Sequence, residues 1–336
     1  MALENPESHQ MTDHYEKNIL GFGNQLRPGN ITARYLGRLK GTKPKTIVII
    51  GMGGSGIAGE ILRAAQKELG ISAEIILWKD YGFPPNLPAD TLYIFVSFSG
   101  DTEETLSGLS VLLKKPGGGR HIAAVTAGGA LKRLGEAHQL PMVTFSAGDL
   151  TPRQGTGIMF ISLVILLRAA GFRAPLSAPR INPESLRRQG ERLARILKNK
   201  VISIYTDEPW KALGYIWKIK LNETAKSFAS VNVIPESNHN EIVGFERKSF
   251  PAAAIFLKNP AAAPQFKKRL RITEKLLKQR GVSIIELELK GKTFLQNAWH
   301  TIILADWTAY SLARLRGVNP TETKIIAELK ADLKKR

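Results

Sequence analysis

The chain has 336 residues, long enough for two domains with separate cores. Apolar residues make up 43% and charged residues 23%, the composition of a globular rather than a disordered protein, and the absence of cysteine excludes disulfides, thiolate metal sites and cysteine nucleophiles. The formal charge of +19 raises the question of nucleic acid. Yet Lys and Arg are spread over stretches such as "LRRQGERLARILKNK" and "QFKKRLRITEKLLKQR", where basic and apolar positions alternate at helical period as on solvated helix faces. No specific nucleic-acid partner is expected, only a general attraction for anionic ligands.

In chain order, residues 1–40 open with the polar "MALENPESHQMTDHYEKN", which lacks a secretory core, so a cytoplasmic protein with a short N-terminal helical segment is expected. "KTIVIIGMGGSGIAGEIL" (45–62) then reads as strand, tight turn and helix. "AEIILWKD" and "LYIFVSFSG" are further strands, a helix covers about 102–115, and "HIAAVTAGG" and "PMVTFSAG" complete the set. The apolar "GIMFISLVILL" (157–167) falls short of the ~20 residues a bilayer requires and reads as a buried helix, so no membrane is expected. Residues 41–172 form a first α/β domain, and the proline- and serine-rich stretch at 173–190 a linker. From 191 to 336 the pattern restarts, with strands at "VISIYTD", "VNVIPES", "AAAIFLKN" and "VSIIELEL" and helices near 209–226, 262–281 and 292–316. The expected fold is α/β in two domains, each a parallel sheet flanked by helices in a three-layer sandwich.

Two ligands compete for the glycine turn. Gly51, Gly53 and Gly56 satisfy the G-x-G-x-x-G dinucleotide pattern, and Asp80 at the end of the next strand could hold a ribose, as in an NAD-dependent dehydrogenase. The next loop, "VSFSGDTEETL", favours the other reading. Ser97, Ser99 and Thr102 surround Gly100 at a helix start, and hydroxyls beside free N–H groups suit a compact phosphate monoester on a sugar. Ordinary helix capping explains one such hydroxyl more readily than three.

"GMGGSGIAGE", "VSFSGDTEETL" and "VTAGGAL" resemble the loops of sugar isomerase (SIS) domains, and "LNETAK", "PESNHNEIVGFE" and "RGVNP" are similar to the bifunctional phosphoglucose/phosphomannose isomerases. The resemblance runs from about residue 45 to the C-terminus and makes both domains SIS-type. It implies reversible isomerisation of glucose 6-phosphate and mannose 6-phosphate with fructose 6-phosphate through an enediolate, with no cofactor or metal required. Gly53, Gly54, Ser55, Ser97, Ser99 and Thr102 would hold the substrate phosphate. A non-catalytic phosphosugar sensor would use the same first-domain loops, but such regulators carry a DNA-binding module that the first 40 residues do not provide.

The resemblance also distributes the chemistry. Glu223 in "LNETAK" matches the base, although a helical Glu three residues from Lys220 and Lys226 would otherwise read as a surface ion pair. His239 in "PESNHNE" matches the ring-opening histidine, which in relatives comes from a neighbouring subunit, so a homodimer is implied. The family's "PELNHNE" carries Ser237 here in place of leucine. Arg153, expected on the first turn of the long apolar helix, matches the arginine that stabilises the enediolate. Thr323 would leave room for rotation about C2–C3, and Lys330 would assist ring opening, although "PTETKII" departs from the family around the threonine.

Overall fold

The computed structural model describes residues 14–115, 121–176, 181–247, 250–333 and 335. The first thirteen residues of the expected N-terminal segment and residues 177–180 of the expected linker lie outside them. The chain divides into two compact units, one of Gly21–Ile181 with Gly291–Ala298, the other of Met1–Leu20, Asn182–Lys290 and Trp299–Arg336.

The first unit holds six strands, β1 (Ile31–Arg34), β2 (Thr46–Ile50), β3 (Glu74–Trp78), β4 (Leu92–Ser97), β5 (Ile122–Thr126) and β6 (Met142–Phe145), in the order β1-β6-β5-β4-β2-β3. All neighbours run parallel except β1, which pairs antiparallel with β6 from Ile31↔Phe145 to Arg34↔Met142. Residues 1–40 therefore contribute an edge strand as well as helical turns. That strand carries no apolar alternation, because only its first residue is even half-buried.

β2 and β5 are buried at every position, so they read as unbroken apolar runs rather than alternating ones. Four helices cover the sheet: α1 (Gly53–Ala64), α2 (Glu103–Leu113), α3 (Gly129–Ala137) and α4 (Thr156–Ala169). Val48, Ile50, Phe95 and Ala124 meet Leu109 and Leu112 of α2 and Leu131 of α3 on one face. Ile49 points to the other, where a Cβ on Gly59 of α1 would come within 3.0 Å of it. α4 is the expected buried helix, and among the described residues no helix is long and apolar enough to cross a membrane.

The second unit holds a four-stranded, wholly parallel sheet of β7 (Val201–Thr206), β8 (Ala229–Val233), β9 (Ala252–Lys258) and β10 (Ser283–Glu288), in the order β10-β9-β7-β8. Its helices are α5 (Arg187–Leu197), α6 (Lys211–Glu223), α7 (Pro264–Gln279), α8 (Phe294–Arg316, from Trp299 onward) and α9 (Lys324–Leu333). α7 packs Leu270 and Leu277 onto Tyr205, Ala254 and Phe256. α6 lies on the opposite face, where Gly214 leaves no room for a side chain beside Val231. α5 begins inside the stretch expected to be linker, because Pro183 and Glu184 set up a 3₁₀ turn, Pro183–Leu186, that leads straight into it.

Candidate active site

At the carboxyl ends of β2, β4 and β5 the chain turns three times into a helix, and the three turns interlock. Gly51 closes the first turn so tightly that a Cβ would lie 2.9 Å from the Val96 carbonyl oxygen. Gly53 has a left-handed backbone with φ of +47°, and a Cβ on Gly54 would strike the backbone of Pro152 and Arg153 at 2.8 Å. The second and third turns fit still closer. Gly100 has φ of +80° and would place a Cβ 1.8 Å from the Gly128 carbonyl oxygen, while Gly129, at +68°, would place one 2.4 Å from that of Ser99. At Gly51, Gly54, Gly100 and Gly129 a side chain would collide with backbone, and at Gly53 the left-handed conformation favours glycine.

The hydroxyls expected to meet a phosphate also bind one another. Ser97 is fully buried, accepts the Gly100 N–H at 3.0 Å and shares a 2.8 Å hydrogen bond with Thr102. Ser55 accepts the Phe98 N–H at 3.0 Å, joining the β2 turn to the β4 turn, and the exposed Ser99 accepts from Asp101 N–H at 3.3 Å. Asp101 in turn accepts the Ala130 N–H at 2.9 Å, fixing the start of α3. The turns thus bring the amino ends of α1, α2 and α3 to one edge; that of α3 is engaged by Asp101 and by the Gly100 carbonyl, which accepts the Leu131 N–H at 2.9 Å, and the amino ends of α1 and α2 favour an anion.

Arg153 does not lie on the first helical turn as expected. It sits in the turn that precedes α4, which starts only at Thr156, whose hydroxyl donates to the Arg153 carbonyl oxygen at 3.1 Å. The side chain is 2% exposed, so this unit buries a full positive charge next to the β2 turn. Asp80 accepts the N–H of Tyr81 at 2.7 Å, and Lys79 beside it pairs with Glu60 of α1. The strand end that a dinucleotide ribose would require is spent on a local turn and an ion pair.

In the second unit Glu223 is the last residue of α6 and is half-buried. Lys220 and Lys226 flank it, three residues to either side. Lys220 is fully buried and pairs with Asp306 of α8 at 2.7 Å. Tyr15 joins this network, its hydroxyl bonding Thr224 at 2.9 Å and Asp306 at 3.2 Å. Lys226, at a left-handed φ of +51°, donates to the Glu223 carbonyl oxygen at 2.9 Å and also to the carbonyl of Asn319. The end of α6 is thereby held to the "RGVNP" segment. Asn319 organises the next turn of the chain, its side-chain oxygen accepting from the Thr321 N–H at 2.9 Å and the Thr321 hydroxyl at 2.7 Å.

Thr323 stands half-buried at the start of α9, accepting the Ile326 N–H at 3.0 Å on its carbonyl. Lys330 is exposed on that helix, none of whose residues is buried. His239 ends the short 3₁₀ turn Glu236–His239 and is exposed. Its neighbours hold the loop: Asn238 donates to Thr273 at 3.0 Å, and Tyr205 donates to Glu241 at 2.7 Å. Burial raises Glu241 above the usual carboxylate range, and the Tyr205 hydroxyl partly offsets it.

Sequence reasoning missed Asp101, Lys226, Asp306 and Tyr15. Lys226 was visible only as a possible ion-pair partner of Glu223. The others act through contacts 29, 86 and 209 residues away that no local pattern announces.

Comparison with known proteins matches residues 187–333 to the family described as bacterial phospho-glucose isomerase C-terminal SIS domain. A bifunctional phosphoglucose/phosphomannose isomerase from Aquifex aeolicus is 30% identical over 95% of this chain and 98% of its own length. One of the same name from Thermoplasma acidophilum is 29% identical over 92% of this chain and 96% of its own. Among solved structures, a hypothetical protein from Thermus thermophilus superposes with a TM-score of 0.68 at 18% identity, covering 98% of this chain and 94% of that one, a likeness of fold.

Proposed function

The chain belongs to the bifunctional phosphoglucose/phosphomannose isomerase family, and from that premise we propose that it interconverts fructose 6-phosphate with glucose 6-phosphate and mannose 6-phosphate. The observation that carries this reading is the Lys226 tie, which joins "LNETAK" to "RGVNP", two segments characteristic of the family, around the end of α6.

The substrate phosphate is received by the turns at Gly53, Gly54 and Ser55 and at Ser97, Ser99 and Thr102, through backbone N–H groups and hydroxyls. His239 opens the furanose ring, relaying the proton lost by the anomeric hydroxyl to the ring oxygen as the C2–O5 bond breaks, with Lys330 assisting. The Glu223 carboxylate then removes a proton from C1, and the C1=C2 enediolate carries its charge on oxygen, where the Arg153 guanidinium stabilises it. Glu223 returns the proton to C2 while the O1 hydroxyl proton passes to O2, so that O1 becomes the aldehyde oxygen and O2 a hydroxyl. Delivery to one face yields the glucose configuration and to the other the mannose configuration. Thr323, a small side chain, leaves the C2–C3 bond free to turn between them. The reaction is an internal redox exchange between C1 and C2 and needs no external oxidant.

We propose further that the enzyme is a homodimer in which His239 serves the partner's site, in keeping with its exposed position. Its substrates are charged phosphate esters that do not cross a bilayer unaided, which favours a cytoplasmic location.

The test is to incubate the protein with fructose 6-phosphate alone and follow both aldose phosphates by NMR. Glucose 6-phosphate and mannose 6-phosphate should appear together, and Glu223→Gln should retain substrate binding while losing about 10²–10⁴ in turnover. Binding without either product would point to a phosphosugar sensor. For the shared site, Glu223→Gln and His239→Asn homodimers are mixed and allowed to exchange subunits. Recovered activity supports the crossing of His239, and none removes it.

A further inference from the structure

The second sheet repeats the order of four strands of the first, β5-β4-β2-β3, so β7 corresponds to β2, β9 to β4 and β10 to β5. That correspondence locates the counterpart of the phosphate turns at the carboxyl ends of β7, β9 and β10. A cavity of about 600 Å³ opens there, at the ends of β9 and β10 and over α7, a size that suits a small ligand. It borders the point where the connections leaving β7 and β9 run in opposite directions, to β8 and to β10, which is where open α/β sheets bind ligands. Asn259 fixes that point, donating to Asp207 at the end of β7 at 2.7 Å and accepting the Ala261 N–H at 2.9 Å.

The walls differ from those of the first sheet. Among the described residues no serine, threonine or glycine lines the cavity. There four cations, Lys258, Lys267, Arg271 and Lys290, face one carboxylate among the described residues, Glu288. Lys258 is neutralised by Glu274 and Glu286, and Lys267 donates to the Pro260 carbonyl at 2.6 Å. Arg271 and Lys290 are exposed and make no hydrogen bond or ion pair among the described residues. Lys267 and Arg271 stand four residues apart and so share one face of α7. The remaining wall is apolar, formed mainly by Phe266, Leu270 and Leu289.

Without hydroxyls or glycine turns the cavity is poorly equipped to grip a free sugar ring. Unpaired cations beside an aromatic wall suit an anion with a flat, apolar body. We propose that the carboxyl edge of the second sheet is a nucleotide-binding site, with the phosphates among Lys267, Arg271 and Lys290 and the base against Phe266. This site is additional to the residues assigned to isomerisation and uses none of them.

The experiment is calorimetric titration of the full-length protein with AMP, ATP and inorganic phosphate at about 0.15 M salt, where long-range attraction by the overall charge is screened. Each titration is repeated with saturating fructose 6-phosphate. AMP or ATP should bind once per chain, unaffected by fructose 6-phosphate. The double variant Arg271→Glu/Lys290→Glu should weaken binding at least tenfold while fructose 6-phosphate turnover stays within twofold. Lys114→Glu, an exposed charge change outside the cavity, should leave nucleotide affinity unchanged. The proposal is overturned by no binding at millimolar nucleotide, by displacement with fructose 6-phosphate, or by inorganic phosphate binding as tightly as AMP. Equal weakening by Lys114→Glu would also overturn it, because the attraction would then belong to the whole charged surface.

Discussion

Both sheets run their strands in one order, yet the loops at their carboxyl ends are built from opposite materials. After β4 the chain reads "SFSGDTEE", and its turn is folded into the turn after β5 so closely that backbone meets backbone. After β9 it reads "KNPAAAPQF", with two prolines and three alanines, and its polar reach comes from lysine and arginine side chains instead. A loop of glycine and hydroxyl presents fixed N–H groups to a compact anion and tolerates no added carbon. A loop of proline and alanine leaves recognition to movable cations. The same topology therefore supports one edge of fixed N–H groups and hydroxyls and another defined mainly by charge and apolar surface. The acid–base candidates lie on a helix end and a 3₁₀ turn of the second unit.

Breaking the first loop should have the largest effect. Gly100→Ala sets a methyl group 1.8 Å from the Gly128 carbonyl oxygen at a φ of +80°, so chemical denaturation should show a loss of about 4 kcal/mol or outright failure to fold. A stable Gly100→Ala protein would mean that the two turns are free to separate. Next comes Asp306→Leu, which removes the carboxylate that pairs with the fully buried Lys220. A loss of about 3–5 kcal/mol is expected, and the double variant Lys220→Met/Asp306→Leu should recover much of it. A double variant no better than the single one would show that the pair does more than neutralise itself.

The strands and the long buried helix were legible because each is a run of apolar residues with punctuation at both ends, as in "TIVIIG" and "GIMFISLVILL". Glu223 and His239 were legible only through resemblance, since neither residue type nor spacing separates them from surface residues. β1 was not legible because its exposed residues carry no period, and α5 was hidden in a stretch whose prolines look like a linker but start a helix. Arg153 falls three residues before the onset of α4 at Thr156, because the turn through Gly155 intervenes, and no pattern in the sequence marks that boundary. Nor could the sequence show that Ser97 and Thr102 bind each other, because the hydroxyl pair is closed by the fold of the turn.

Smaller effects sharpen the contrast between the proposed binding edge and the proposed acid–base groups. Lys226→Met removes the cation that joins the Glu223 carbonyl to Asn319. If its task is to position the base, kcat should fall about tenfold, equivalent to ~1.4 kcal/mol, with KM nearly unchanged, and Lys226→Arg should restore part of the rate. A rise in KM at constant kcat would instead move Lys226 to substrate binding. The smallest change returns to the β9 loop, in the sense opposite to Gly100→Ala. Ala262→Gly removes a carbon where Ala262 N–H bonds the Asn259 carbonyl at 3.1 Å, with no glycine conformation required. The cost should be about 0.4–1 kcal/mol, arising from the greater freedom of the unfolded chain, and isomerase turnover should not move. If Ala262→Gly costs as much as Gly100→Ala, the β9 loop is as tightly specified as the β4 loop and the contrast in materials does not extend to mechanics.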